Sequence, residues 1–226
     1  MKKNAGLYLF VLSLFADLAG VYSKNETLEY VAKPLVVITL IFYFFSATSG
    51  FKSNLIKMIF AALVFSWIGD VMLMFESMNG NFFIFGLIAF LIAHVFYIFF
   101  FSKIKNDDQV KLKVGLVILV AVYYSGLMYL LYNYLGGMKI PVMVYGIIIS
   151  TMFLLAIHML FIKNKRAGRW MMLGALLFIS SDSILAINKF YNSFESAGIF
   201  IMLTYGFAQL LITLGAVRYF ISTSKQ

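Results

Sequence analysis

The chain has 226 residues, 63% of them hydrophobic and 12% charged, with a mean hydropathy of +0.95. A soluble domain carries about 25% charged residues, so this composition excludes a water-soluble fold and describes a polytopic membrane protein. The net charge of +9 does not imply a nucleic-acid partner, because the basic residues stand between apolar runs, where topology and anionic lipid headgroups account for them; the absence of cysteine removes disulfides, thiolate metal sites and a cysteine nucleophile.

A helix needs about 20 mainly apolar residues to cross a bilayer. On that rule eight spans are expected, over 5–23, 31–49, 54–75, 81–101, 112–133, 140–162, 170–190 and 197–220, forming one all-α transmembrane domain over 1–226. The first, with a basic start and an apolar centre, imitates a signal peptide. Asp17 interrupts the end of that centre, and the span is expected to be retained. With the N-terminus placed in the cytoplasm, 14 of the 18 Lys and Arg, from Lys2 and Lys3 to Lys225, fall on the cytoplasmic side, and only Lys24, Lys33, Lys139 and Lys189 fall outside. Positive charge is retained inside, so both termini are expected to be cytoplasmic and the membrane to be the cell (inner) membrane.

The two prolines take matching places, Lys33-Pro34 opening the second span and Ile140-Pro141 the sixth, as proline does in a helix's first turn. Gly69-Asp70-Val71-Met72-Leu73 in the third span is echoed by Ser181-Asp182-Ser183-Ile184-Leu185 in the seventh, and Ala93-His94 in the fourth by Ala208-Gln209 in the eighth. The pattern reads as a weak duplication of four spans, 1–105 and 106–226, related by an axis along the membrane normal. It would set Asp70 and Asp182 face to face across a central cavity.

A carboxylate at mid-membrane depth costs about 2.5 to 3.5 kcal/mol even on insertion scales, and such residues are functional by default. The intramembrane polar residues are Asp17, Asp70, His94, Asp182, Asn188, Tyr205 and Gln209, with Lys33 and Lys189 at outer span ends and His158 near an inner one. The three aspartates fall in the outer half and His94 deeper. Two carboxylates in a poorly solvated cavity divide the work of acid and base, since repulsion keeps a proton on one of them. Asp70 and Asp182 are therefore the candidate catalytic pair, and Lys33, His94, Asn188, Lys189, Tyr205 and Gln209 the candidate substrate-binding residues. Lys189 stands seven residues after Asp182, on the same helical face, where it or Lys33 would snorkel outward to a phosphate. Against these roles stand structural ones: an aspartate paired to lock helices together, or a histidine serving as an interhelical contact. A small proton-coupled transporter would use the same aspartates. No HExxH, Walker loop, GxSxG or dinucleotide fingerprint occurs, and neither a metal nor an organic cofactor is expected.

Lys33-Pro34-Leu35, Gly69 to Met74, His94 to Tyr97 and Ser181 to Ala186, in an eight-span chain, resemble the YhhN-like lysoplasmalogenase family of integral membrane enzymes. The resemblance implies hydrolysis of the vinyl ether bond of lysoplasmalogens to a fatty aldehyde and a glycerophospho-alcohol, with Asp70 and Asp182 as the catalytic pair. The implied partners are a lysophospholipid substrate and membrane lipids. The chemistry agrees with the reading of the residues: protonating the β-carbon of a vinyl ether gives an oxocarbenium ion, and a neighbouring carboxylate stabilises it, as in glycoside hydrolysis.

Overall fold

Eight helices long and apolar enough to cross a membrane make up the computed structural model, which describes residues 2–223, with side chains from residue 5 onward. Lys225, one of the charges used to orient the chain, lies outside the described residues, as do the side chains of Lys2 and Lys3. The helices are α1 (Lys2–Ser23), α2 (Glu26–Thr48), α3 (Asn54–Met74), α4 (Asn81–Asp107), α5 (Val114–Leu131), α6 (Lys139–His158), α7 (Lys165–Ala186) and α8 (Ala197–Thr223). Two 3₁₀ turns join α5 to α6, a third follows α6, and α7 is prolonged by a π turn, Ile187–Tyr191. Among the described residues there is no strand.

Side chains mark where the helices start. The carboxamide of Asn25 accepts from Leu28 N–H at 3.1 Å to open α2, the hydroxyl of Ser53 accepts from Leu55 N–H at 3.2 Å to open α3, and Asn164 Oδ1 accepts from Ala167 N–H at 3.0 Å to open α7. Each satisfies a first-turn donor that the helix itself leaves unpaired. Packing then proceeds by hairpins, α1 with α2, α3 with α4 and α7 with α8. α8 also lies on α1, α2 and α3, and α4 lies on α6. In a membrane, apolar area drives little association, and close approach of small residues does more. At Gly174 a Cβ would come within 2.7 Å of Ile212 N and 2.8 Å of Ala208 O, so α7 lies on the backbone of α8 itself. The outward faces carry exposed Phe15, Phe45, Ile118, Val122, Ile147 and Phe200, apolar side chains turned toward lipid.

Two expectations are corrected. α2 begins at Glu26 and not at 31, because Asn25 caps it and the charged turn Glu26–Tyr30 is helical. Pro34 consequently stands inside α2, while Pro141 does sit in the first turn of α6. Proline inside a helix removes one i→i−4 bond. The carbonyl of Pro34 takes a further donor, the indole N–H of Trp67 on α3 at 3.1 Å.

Candidate active site

α1, α3 and α7 end at the same end of the bundle, and each carries one aspartate a short way in. Asp70 is four residues before Met74, Asp17 six before Ser23 and Asp182 nine before Tyr191, or about 6, 9 and 14 Å at 1.5 Å per residue. Asp17 and Asp182 both lie within electrostatic reach of Asp70, as does Lys33. The three carboxylates therefore share one region.

The two matched aspartates are held alike. Asp70 Oδ2 accepts from the hydroxyl of Tyr205 on α8 at 2.8 Å, and Asp182 Oδ2 accepts a short hydrogen bond from the hydroxyl of Tyr145 on α6. Hydrogen bonds to an ionised group are about twice as strong as neutral ones. Behind Tyr205 the chain continues: Gln209 Nε2 donates to the Tyr205 hydroxyl at 3.4 Å, and the Tyr97 hydroxyl donates to Gln209 Oε1 at 2.7 Å. Tyr97 and Gln209 are fully buried.

Beside Asp182 is a narrow cavity of about 50 Å³ whose walls are Leu73 of α3, Phe83, Leu87 and Phe90 of α4, Val142 and Tyr145 of α6, and Asp182, Leu185, Ala186 and Phe190 of α7 and its π turn. In character, though not in size, it is like small-ligand sites, apolar with few polar groups. Only the Asp182 carboxylate and the Tyr145 hydroxyl interrupt the apolar lining. Asp70 is not on this wall. Phe90 lines the cavity and rests its ring on Gly69, the neighbour of Asp70, where a Cβ would meet it at 2.6 Å. Phe90, Phe178 and Tyr205, the tyrosine that holds Asp70, pack edge to face, with 5.8 Å between the centroids of Phe90 and Tyr205.

His94, read from the sequence as deeper than the carboxylates, brings Nε2 to 4.0 Å from Asp182 Oδ2. It is fully buried, the backbone of Phe90 one turn earlier is the hydrogen-bonding group that acts on it, and its ring meets Phe178 at 4.7 Å and Tyr145 at 5.4 Å. Asp17 is also fully buried with neither oxygen bonded, in electrostatic reach of Lys33 and Glu29.

Three candidate binding residues are engaged elsewhere. Lys189 forms a short ion pair with Glu76 and lies 5.0 Å from the Phe83 ring centre. The π turn explains this: it breaks the register, so seven residues from Asp182 no longer means the same face. Asn188 Oδ1 accepts from Phe194 N–H at 3.1 Å and shapes the α7–α8 connection. Gln209 supports Tyr205 and does not reach the cavity. His158 is structural as well, with Nδ1 at 2.7 Å from Leu154 O and Nε2 accepting from Lys113 N–H at 3.0 Å. The residues that sequence reasoning missed are Tyr145, Tyr97 and Tyr123, whose hydroxyl is 2.5 Å from Ser183 Oγ, next to Asp182. Depth was the available signal for Tyr145: six residues into α6, it lies at a level a side chain from Asp182 can reach.

Eight apolar helices around tyrosine-held, buried carboxylates beside an apolar cavity define an integral membrane protein with an intramembrane acid site. A model of the YhhN family matches residues 28–216, and the chain belongs to that family. It is 32% identical over 182 residues to the protein named lysoplasmalogenase TMEM86B of Mus musculus, covering 80% of this chain and 72% of that one. With lysoplasmalogenase TMEM86A of Homo sapiens it is 38% identical over 169 residues, covering 71% and 65%. With the lysoplasmalogenase of Mycobacterium tuberculosis (strain CDC 1551 / Oshkosh) it is 31% identical over 157 residues, covering 68% and 58%. The chain thus spans between 58% and 72% of the length of these relatives. No solved structure matches it.

Proposed function

We propose that this chain hydrolyses the vinyl ether bond of lysoplasmalogens, releasing a fatty aldehyde and a glycerophospho-alcohol. The observation that carries the reading is Asp182, held by Tyr145 on the wall of an otherwise apolar cavity within electrostatic reach of Asp70. The relatives are named for this hydrolysis, which favours an enzyme over a proton-coupled transporter.

In this mechanism the double bond enters the narrow cavity beside Asp182, and the rest of the alkenyl chain runs out from it along the apolar faces of the helices. Tyr145 donates to Oδ2, so Oδ1 is the oxygen that carries the acid proton. That proton goes to the β-carbon, the double-bond electrons form the new C–H bond, and positive charge spreads over the α-carbon and the ether oxygen. Asp70 stabilises the cation through its charge. Water adds to the α-carbon and gives up a proton to Asp182, and the hemiacetal collapses to aldehyde and alcohol. A general acid–base contribution of this kind is worth about 10²- to 10⁴-fold.

Supporting the same reading, α4 lies on α6 as α8 lies on α2, the exchange of partners expected of duplicated units 1–105 and 106–226. With both termini in the cytoplasm of the cell membrane, the site opens on the opposite side. The test is to incubate purified protein with a lysoplasmalogen and with its saturated alkyl-ether analogue, and to assay aldehyde. Release from the vinyl ether alone supports the proposal; release from neither refutes it.

A further inference from the structure

A second concavity, an open groove of about 190 Å³, lies between the start of α2 and the end of α3. Glu26, Glu29, Tyr30 and Lys33 recur at three- and four-residue intervals and share one face of α2, and Leu73, Met74 and Ser77 form the opposite wall. Leu73 is also a wall of the cavity that holds Asp182, so the polar groove and the apolar cavity adjoin through one side chain.

Of the four lysines at this end, three are occupied. Lys24 pairs with Glu195 at 2.8 Å, Lys189 pairs with Glu76, and Lys139 lies 4.2 Å from the ring centre of Tyr132. Lys33 makes no ion pair or ring contact among the described residues. The fully buried Asp17 and Asp70 lie within its electrostatic reach without bonding it. The charges are also ordered. Lys33 is innermost, next to Leu73, with Glu29 about 6 Å and Glu26 about 10 Å farther out along α2. A lysophospholipid with a zwitterionic headgroup has the same sequence of parts, read outward: chain, ether, glycerol, phosphate, ammonium.

We propose that this groove is the headgroup subsite for a zwitterionic lysophospholipid, with the phosphate on Lys33 and the terminal ammonium against Glu29 and Glu26 beside the ring of Tyr30. The proposal rests on the reading of the chain as a lysophospholipid hydrolase and adds the feature that selects its substrate. An aromatic ring with carboxylates suits an ammonium or quaternary ammonium group. A headgroup ending in glycerol offers the carboxylates no cation, and one ending in a second anion is repelled by them.

The experiment measures binding of saturated alkyl-ether lysophospholipids of one chain length, with ethanolamine, choline or glycerol headgroups, to the purified full-length protein in detergent. These analogues have no vinyl ether, so the groove is read without the reaction; aldehyde release from the vinyl ether is assayed in parallel. Wild-type protein binds the two zwitterionic lipids about fivefold or more tighter than the glycerol lipid, the scale of a few partly exposed charge contacts. Glu26→Gln with Glu29→Gln reduces that preference to less than about twofold, Glu26→Lys with Glu29→Lys inverts it, and Lys33→Met weakens all three lipids together. Size-exclusion profiles identify the variants that fold, and Glu26 is exposed enough for glutamine to be accommodated. A wild-type preference that survives the double glutamine variant, or no preference at all, overturns the proposal. Intact preference without aldehyde release would fell the hydrolase reading and leave the subsite standing; release with no preference would do the reverse.

Discussion

Replacing Asp182 or Asp70 by asparagine separates chemistry from architecture, because the structure specifies which atom bonds survive. Each carboxylate uses Oδ2 to accept one tyrosine hydroxyl, from Tyr145 and Tyr205 respectively. An asparagine oxygen in that place accepts the same proton, and its amino group takes the position of Oδ1. At Asp70 the loss is the charge assistance of one hydrogen bond, about 1 kcal/mol from the difference between charged and neutral partners, and at Asp182, which holds the acid proton, it is smaller. It is opposed by the smaller cost of burying a neutral amide. The thermal midpoint in detergent should therefore move by no more than about 3 °C in a chain of this size. Aldehyde release should fall by about two to four orders of magnitude in either variant. The double variant should be far less impaired than the product of the two, since groups acting as a unit are not additive. If the variants fold and release aldehyde at near wild-type rates, the assignment is wrong, and His94, 4.0 Å from Asp182, becomes the next residue to replace. A scaffold role would show instead as lost expression with the surviving protein active.

Lys189→Met should leave KM unchanged and lower stability by at most about 1 kcal/mol, because its partner is Glu76 in a pair that solvent reaches; a several-fold rise in KM would place Lys189 at the substrate. Gly174→Ala should cost about 1–3 kcal/mol, measured as a lower thermal midpoint, since its Cβ would meet backbone atoms of α8 at 2.7 and 2.8 Å that cannot swing aside; an unchanged midpoint would mean that α7 and α8 part freely. Tags at the two termini should be reached only from the cytoplasmic side of sealed vesicles, and labelling from opposite sides would contradict an even number of crossings.

Span number and placement were legible because a bilayer imposes one strong periodless signal, a long apolar run, and each expected span overlies one helix, although α2 and α7 begin five residues before the expected starts and α4 runs six residues past the expected end. α2 was misjudged at its start because Glu26 and Glu29 lower the apolar count, although Asn25 with acidic residues behind it is a helix-opening signature. The aspartates could be found because a carboxylate in an apolar run is costly; their tyrosines could not, since the chain has 14 tyrosines and nothing in one span names its partner in another. The partners of Lys189 and Asn188, Glu76 and Phe194 N–H, were not legible for a local reason, the π turn, which no residue pattern announces. Phe90 lying over Gly69, beside Asp70, is likewise a contact between helices that spacing along either one does not contain.

The hydrogen bonds that end on Asp70 run in one direction, from Tyr97 to Gln209 to Tyr205 to the carboxylate. Each hydroxyl has a single proton, and each has spent it on the next member. Oδ2 of Asp70 therefore has no room for a proton of its own, and the two oxygens are chemically distinct: one is permanently a receiver, and Oδ1 alone can be charged or discharged. To reverse the order the amide of Gln209 must turn over, which takes Oε1 from Tyr97 and offers it to Tyr205, so that Tyr205 withdraws its proton from the carboxylate. Tyr97, buried on α4 and outside the cavity, thereby acts as the latch that keeps this polarity.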